Sequence, residues 1–324
     1  MQIVLDTRGL QFSVRNKCFL IEAESESRII HPSRVSSVLI TAPCRISSPA
    51  LVLAAQSEIP VIICNNWGKP EARIWSPRFF NISTLRRKQY LFSVHVKALD
   101  WAYNIILKKI DGQTSNLTYI SDRKPSLGSD TEKALREIET QLSRIQFSEK
   151  GNPLVTKKTL LFVEAFTASR YWQLIGLKLP EPWNFTNRAK RNPSDPFNAS
   201  VNYLYGMLRN QVETSVLSIG IDPALGIIHR DGYKMPSLVF DLMEPFRPII
   251  DRTLIDSLLN EELRGEILED SGTDRMISKS GRKQLILLFN SKLKERIRFR
   301  ESVTTLQNHI LTEVRYLKER ITDL

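Results

Sequence analysis

His229, Asp241 and Glu244 stand close together in the sequence, and an imidazole nitrogen with carboxylate oxygens is a donor set that suits a hard divalent cation, Mg2+ or Mn2+. A further carboxylate, Glu164, is the candidate to complete the set. Asp241 and Glu244 are three residues apart in the helical pattern SLVFDLMEPF and so share one face, where like charges repel unless a cation relieves them. Pro245 has no N–H to give the preceding turn, so the helix is expected to kink or end beside the two carboxylates. The competing reading is plain: one His among apolar residues is commonly a core or surface residue, and residue types alone leave both readings open.

The elements that must carry these groups are helical. Residues 154 to 175 read as an apolar helix, with Glu164 beside a face formed by Leu160, Leu161, Ala168 and Tyr171. A carboxylate buried without a partner is costly, so Glu164 requires a cation, either a metal ion or an arginine. Arg170 lies on a different face of the same helix and does not supply one. Asp195 and Pro196 read as the N-cap and first-turn proline of the next helix, which turns Phe197, Val201, Leu204, Tyr205 and Leu208 inward and Asn198, Asn202 and Arg209 to another side. The basic run Arg188, Lys190 and Arg191 precedes it, a favourable place for a phosphate, although Asp195 competes for the same N-terminus. Asp222-Pro223 is expected to open a short helix ending near Gly226, leaving His229 in a loop.

Upstream, QIVLDT, QFSVRNKCFLIEA, SSVLITA and PVIICNN read as strands, with a helix SSPALVLAAQSE between the last two, capped by Ser48. NNWGKPEARIWSPRFFN reads as a connector, where Trp67, Arg73 and Trp75 either pack or stack on nucleic acid. A single helix from Ser83 to about residue 110 is decorated by Arg86, Arg87, Lys88, Lys97, Lys108 and Lys109, a solvated basic face or a phosphate-contacting one. DGQTSNLTYISDRKPSLGSD is expected to be a polar linker, followed by an amphipathic helix with Ala134, Ile138 and Leu142 inward. The fold class is therefore α+β: a small N-terminal β-sheet domain with its connector over residues 1–78, then a larger all-α catalytic domain over residues 79–324.

Forty-six Lys and Arg against 35 Asp and Glu give a net charge of +11, which favours a polyanionic partner such as nucleic acid. The cysteines, Cys18, Cys44 and Cys64, lack paired metal or redox spacing and read as free thiols in a reducing compartment. No apolar run approaches the ~20 residues of a membrane span, and no signal-like segment leads the chain, so a cytoplasmic location without a membrane partner is expected.

The segments VEAFTASRYW (163–172), RAKRNPSDPFNASVNYLYGML (188–208), GIDPALGIIH (220–229) and SLVFDLMEPFRPIID (237–251), with KKIDGQTSNL near residue 110 and RKQLILLFNSKL near residue 285, together resemble the CRISPR-associated integrases that insert new spacers into CRISPR arrays, the CRISPR-associated protein one family. The resemblance runs over nearly the whole chain. It implies a metal site at Glu164, His229 and Glu244, with Asp241 an adjacent acid that assists, and Mg2+ or Mn2+ as cofactor. Ala165 departs from the glycine more usual after the catalytic Glu. It further implies joining of the 3′-hydroxyl ends of spacer DNA to the CRISPR repeat, DNA contacts at Arg188, Lys190, Arg191 and Asn198, a homodimer, and a small second CRISPR-associated adaptation protein as partner. A catalytically silent DNA-binding scaffold and a repair or transposon-type nuclease are the alternatives.

Overall fold

The computed structural model describes residues 1–23, 26–65, 70–74, 83–123, 128–145, 156–183, 185–191, 193–233, 235–263, 267–270 and 275–324. The fold is α+β. Strands dominate as far as Ile74 and helices dominate from Ser83; the expected division after residue 78 lies outside the described residues, as do Trp67 and Trp75.

The N-terminal part holds β1 (Gln2–Leu5), β2 (Gln11–Arg15), β3 (Cys18–Glu22), β4 (Ser27–Ile30), β5 (Ser37–Ile40), β6 (Arg45–Ile46), α1 (Ser48–Gln56), β7 (Val61–Cys64) and β8 (Pro70–Ile74). They form two sheets, ordered β1-β5-β7-β8 and β4-β3-β2-β6. QFSVRNKCFLIEA is a hairpin: Asn16 and Lys17 turn it with φ of 50° and 58°, the left-handed pair that a two-residue turn between twisted strands demands. Ser47, not Ser48, occupies the N-cap of α1, and Pro49 falls in the first turn, where a missing N–H costs nothing. Ile3, Leu5, Phe12, Phe19, Val38, Ile40, Ala50 and Val61 fill the N-terminal core. Val4, Leu39, Ile62 and Cys64 cluster separately; the first sheet is buried on both faces, which is why β5 and β7 read as unbroken apolar runs. The expected connector contains β8, whose Arg73 forms an ion pair with Glu213.

The remainder is mostly helical: α2 (Ser83–Ser93), α3 (Val96–Arg123), α4 (Gly128–Leu142), α5 (Lys157–Lys178), α6 (Pro196–Ser218), α7 (Ser237–Met243), α8 (Arg247–Leu259), β9 (Leu268–Asp270), β10 (Arg275–Ile277), α9 (Lys279–Lys294), β11 (Arg296–Phe299), β12 (Ser302–Thr305) and α10 (Leu306–Thr322). Two short ribbons, β9–β10 and β11–β12, interrupt what the sequence predicts as all-α. The helix expected from Ser83 is broken between α2 and α3, and α3 continues to Arg123 through the stretch expected to be a linker. Its polar residues there are interior: Gln113 and Asn116 are buried with Leu117 and Ile120, and Asn116 Nδ2 donates to Tyr171 Oη and to the Pro248 carbonyl. No helix among the described residues is long and apolar enough to cross a membrane.

Candidate active site

α3, α5, α6 and the segment running from α7 into α8 enclose a cavity of about 1390 Å³ that Glu164, His229 and Glu244 all line. Thr156 caps α5 through a reciprocal bond with Thr159, fixing the start of the helix on which Glu164 rides. Asp195 caps α6 as expected, its carboxylate accepting from the Asn198 N–H at 2.7 Å. Pro245 ends α7 in a 3-10 turn, Glu244–Phe246, before α8 begins, so Glu244 sits at the break foreseen from the sequence.

Residues 222–226 form turns and no helix. The loop that follows is held by Asp241, which is fully buried. The N–H groups of Ile227 and Ile228 donate to its Oδ2 at 2.6 and 2.9 Å, and that of His229 to its Oδ1 at 2.9 Å. The His229 ring also reaches Oδ1 through Nδ1 at 2.7 Å. That partner assigns the ring proton to Nδ1 and leaves a lone pair on Nε2, which stands 4.0 Å from Glu244 Oε1. Ser237 Oγ, donating to the Arg230 carbonyl at 2.9 Å, ties the same loop to the start of α7.

Glu164 and Glu244 share one cation, Lys109 of α3, and it is this lysine that answers the need of Glu164 for a counter-charge. The ammonium is 2.6 Å from Glu244 Oε2, so that buried oxygen has a charged partner. Arg247 Nε lies 3.1 Å from Glu244 Oε1. Burial alone would raise the Glu244 pKa; Arg247 and then Lys109 outweigh it and hold the carboxyl down at about 2. Lys109 reads from the sequence as surface decoration, yet it is buried, and Glu244 and Glu164 overcome its desolvation to raise its pKa.

Two carboxylates and an imidazole with a free Nε2 make a donor set that fits a hard divalent ion, and Glu164 and Glu244 already converge on a single cation, the Lys109 ammonium. Among the described residues, no three His, Cys, Asp or Glu side chains are already assembled at coordinating distance. Asp241 has both oxygens engaged by N–H donors.

Also in the cavity lining, Arg188 donates to the carbonyl of Ala189 at 2.7 Å, to Asn198 Oδ1 at 2.9 Å and to Asn202 Oδ1 at 2.7 Å, and its guanidinium lies over the rings of Trp172 and Tyr205. Asn198 is fully buried with its amide occupied by Arg188, Ala189, Asn187 and Asp195, so it braces this wall from behind and has no atom free for DNA. Lys190 and Arg191 are exposed at the cavity. Beneath it, Tyr205 and Tyr171 donate to the buried Asp251 at 2.7 and 3.2 Å. Burial pushes Asp251 up to about 6, with Tyr205 and Arg188 drawing it partly back. Sequence reasoning missed Lys109, Gln113, Arg247 and this tyrosine–aspartate network; the one signal that pointed to Lys109 was the demand of Glu164 for a cation.

A family model described as CRISPR associated protein Cas1 matches residues 3–291. A CRISPR-associated endonuclease Cas1 from Korarchaeum cryptofilum is 30% identical over 264 residues, 79% of this chain and 77% of its own. Among solved structures, a casposase bound to integration product matches with a TM-score of 0.83 at 21% identity, over 99% of this chain and 90% of that one. A Cas6-RT-Cas1–Cas2 complex matches with a TM-score of 0.81 at 19% identity, over 100% of this chain and 35% of that one. These structural likenesses concern the fold.

Proposed function

The chain belongs to the CRISPR-associated Cas1 family, and from that membership we propose that it is a divalent-metal-dependent DNA integrase and endonuclease of CRISPR adaptation. The observation that carries this reading is the convergence of Glu164, Glu244 and the Nε2 side of His229 on one cavity that six cationic side chains also line: Lys109, Arg188, Lys190, Arg191, Arg209 and Arg247. Glu164 and Glu244 are the only Asp or Glu among the described lining residues, so the walls suit a polyanion even though the ligand set is acidic.

Glu164, His229 and Glu244 would hold Mg2+ or Mn2+. When bound there, such an ion supplies Lewis acidity to a phosphoryl oxygen. Asp241 keeps the His229 ring in the tautomer that leaves Nε2 free and locks the loop that carries it. Lys190 and Arg191 hold the DNA backbone at the rim, which makes binding steeply salt-dependent. Arg188, stacked and hydrogen-bonded in place, presents a fixed positive wall instead of a mobile clamp. The joining reaction is a transesterification: the 3′-oxygen of the incoming strand bonds to a target phosphorus, the bond from that phosphorus to the target's own 3′-oxygen breaks, and the departing oxygen takes up a proton. With water as nucleophile the same exchange is a nick.

The domain division after residue 78 belongs to this reading, as do a homodimeric state and a small second adaptation protein, on the model of the Cas1–Cas2 complex with which the chain shares its fold. The test is a joining assay with a 3′-hydroxyl duplex, a repeat-bearing plasmid and Mn2+. Joined product that disappears on chelation is expected. DNA binding without joining in any divalent metal, with the second protein present, makes the chain a scaffold instead.

A further inference from the structure

Lys109 and Gln113 stand one turn apart on the face of α3 that lines the cavity. Lys109 holds its ammonium between Glu164 and Glu244, where a positive charge balances two carboxylates. Gln113 is only 2% exposed, and among the described residues its Oε1 has no hydrogen-bond partner. A buried amide oxygen left unsatisfied is costly, and an acceptor one helical turn from a lysine is within that lysine's reach.

We propose that Lys109 is an exchange cation of this site: its ammonium neutralises Glu164 and Glu244 until a divalent ion arrives, then moves along α3 to the unpartnered Gln113 Oε1. The inference rests on the reading of Glu164, His229 and Glu244 as the ion site. A divalent ion and an ammonium cannot share two carboxylates at contact distance without strong repulsion, so entry of the ion expels the lysine. Gln113 supplies what the expelled ammonium needs, an acceptor already desolvated, on a residue that lines the same cavity. In its second position Lys109 keeps its charge inside the cavity, beside the phosphate backbone that the cavity would take.

The test reads Mn2+ affinity directly, by the loss of the free-ion electron paramagnetic resonance signal, without DNA and without turnover. Lys109→Met removes the competitor, and Mn2+ should bind about tenfold more tightly than to the wild type, a tenfold change being about 1.4 kcal/mol. Gln113→Leu removes the second resting place, so it should weaken Mn2+ binding several-fold in the wild-type background and leave it unchanged in the Lys109→Met background. A purely structural role for Gln113 would weaken binding equally in both, and that result overturns the proposal, as does unchanged or weaker binding in Lys109→Met. Should Lys109→Met not fold, acylation of the wild-type lysines read by mass spectrometry replaces it: Lys109 should gain reactivity several-fold on saturation with Mn2+, and unchanged reactivity overturns the exchange. Binding that depends on Glu244 but not on Lys109 defeats the exchange alone. Binding insensitive to Glu244→Ala defeats the ion site and the exchange together.

Discussion

Asp241 accepts three backbone N–H groups and the His229 ring, so an asparagine there would turn one acceptor oxygen into a donor facing donors. Asp241→Asn should therefore loosen the 227–229 loop and lower Mn2+ affinity by about 10–100-fold, measured by the same resonance titration. An unchanged affinity would show that His229 does not depend on this carboxylate. Asp251 makes a prediction of its own sign. Burial raises its folded pKa to about 6, above its ordinary value, so stability is fully present below about pH 4 and is lost as pH rises through 6. Tyr171, Tyr205, Arg188 and Arg247 are the titratable and charged groups around it. Glu244, held down at about 2, acts in the opposite sense, losing stability only as pH falls below about 4, and does not confuse the window. Thermal melts of Asp251→Asn should therefore be flatter between pH 4 and 6 than those of the wild type; equal slopes would contradict this. At this scale the sequence singled out Glu164, His229, Asp241 and Glu244, because residue type and spacing are local properties, and the structure brings Glu164, His229 and Glu244 to one cavity with Asp241 behind His229. It could not reveal that three N–H groups from a loop twelve or more residues away converge on Asp241, since that depends on how the loop closes.

α3 is the element that sequence periodicity misjudged, and the reason is physical. Polar residues from Asp111 to Asn116 read as a linker because polarity normally marks solvent, but Gln113 and Asn116 are buried in a polar seam against α5 and α8. Gly112 sits inside the same helix, where glycine is ordinarily unfavourable, because Pro248 at the start of α8 approaches it closely: a Cβ there would lie 2.7 Å from the Pro248 Cβ. Gly112→Ala should cost about 1–3 kcal/mol of stability through overpacking, read by urea denaturation. The same push would act on the turn carrying Glu244, so strand joining should fall more than stability alone accounts for. A variant as stable and active as the wild type would show that α8 yields without cost. The capped start of α6 and the break at Pro245 follow from local chemistry, and for that reason the sequence was a sound guide to them, whereas α5, read as 154–175 with no cap named, begins three residues later behind Thr156.

The whole molecule joins a strand-rich part to a helical part through a sheet buried on both faces, with Arg73 of β8 paired to Glu213 of α6 and the Cys64 thiol beside Asn210. This fastening places the N-terminal sheet against the helix that supplies Tyr205 and Arg209 to the cavity. Six of the cationic side chains behind the net charge of +11 line the cavity, and the polyanionic partner proposed for it agrees with what charge balance suggested, because charge balance concerns partners and not fold. The identity of that partner came from the ordered motifs, not from the charge. The claim on which everything else depends is that Glu164, His229 and Glu244 form one ion site at which DNA strands are joined. Single-turnover joining of a 3′-hydroxyl duplex to a repeat-bearing target in Mn2+, with Glu244→Ala compared against the wild type at equal DNA occupancy, tests it most directly. A fall of about 100-fold or more with DNA affinity within a few-fold of the wild type is the predicted result, as expected for loss of a metal ligand. Joining by Glu244→Ala at the wild-type rate would contradict it.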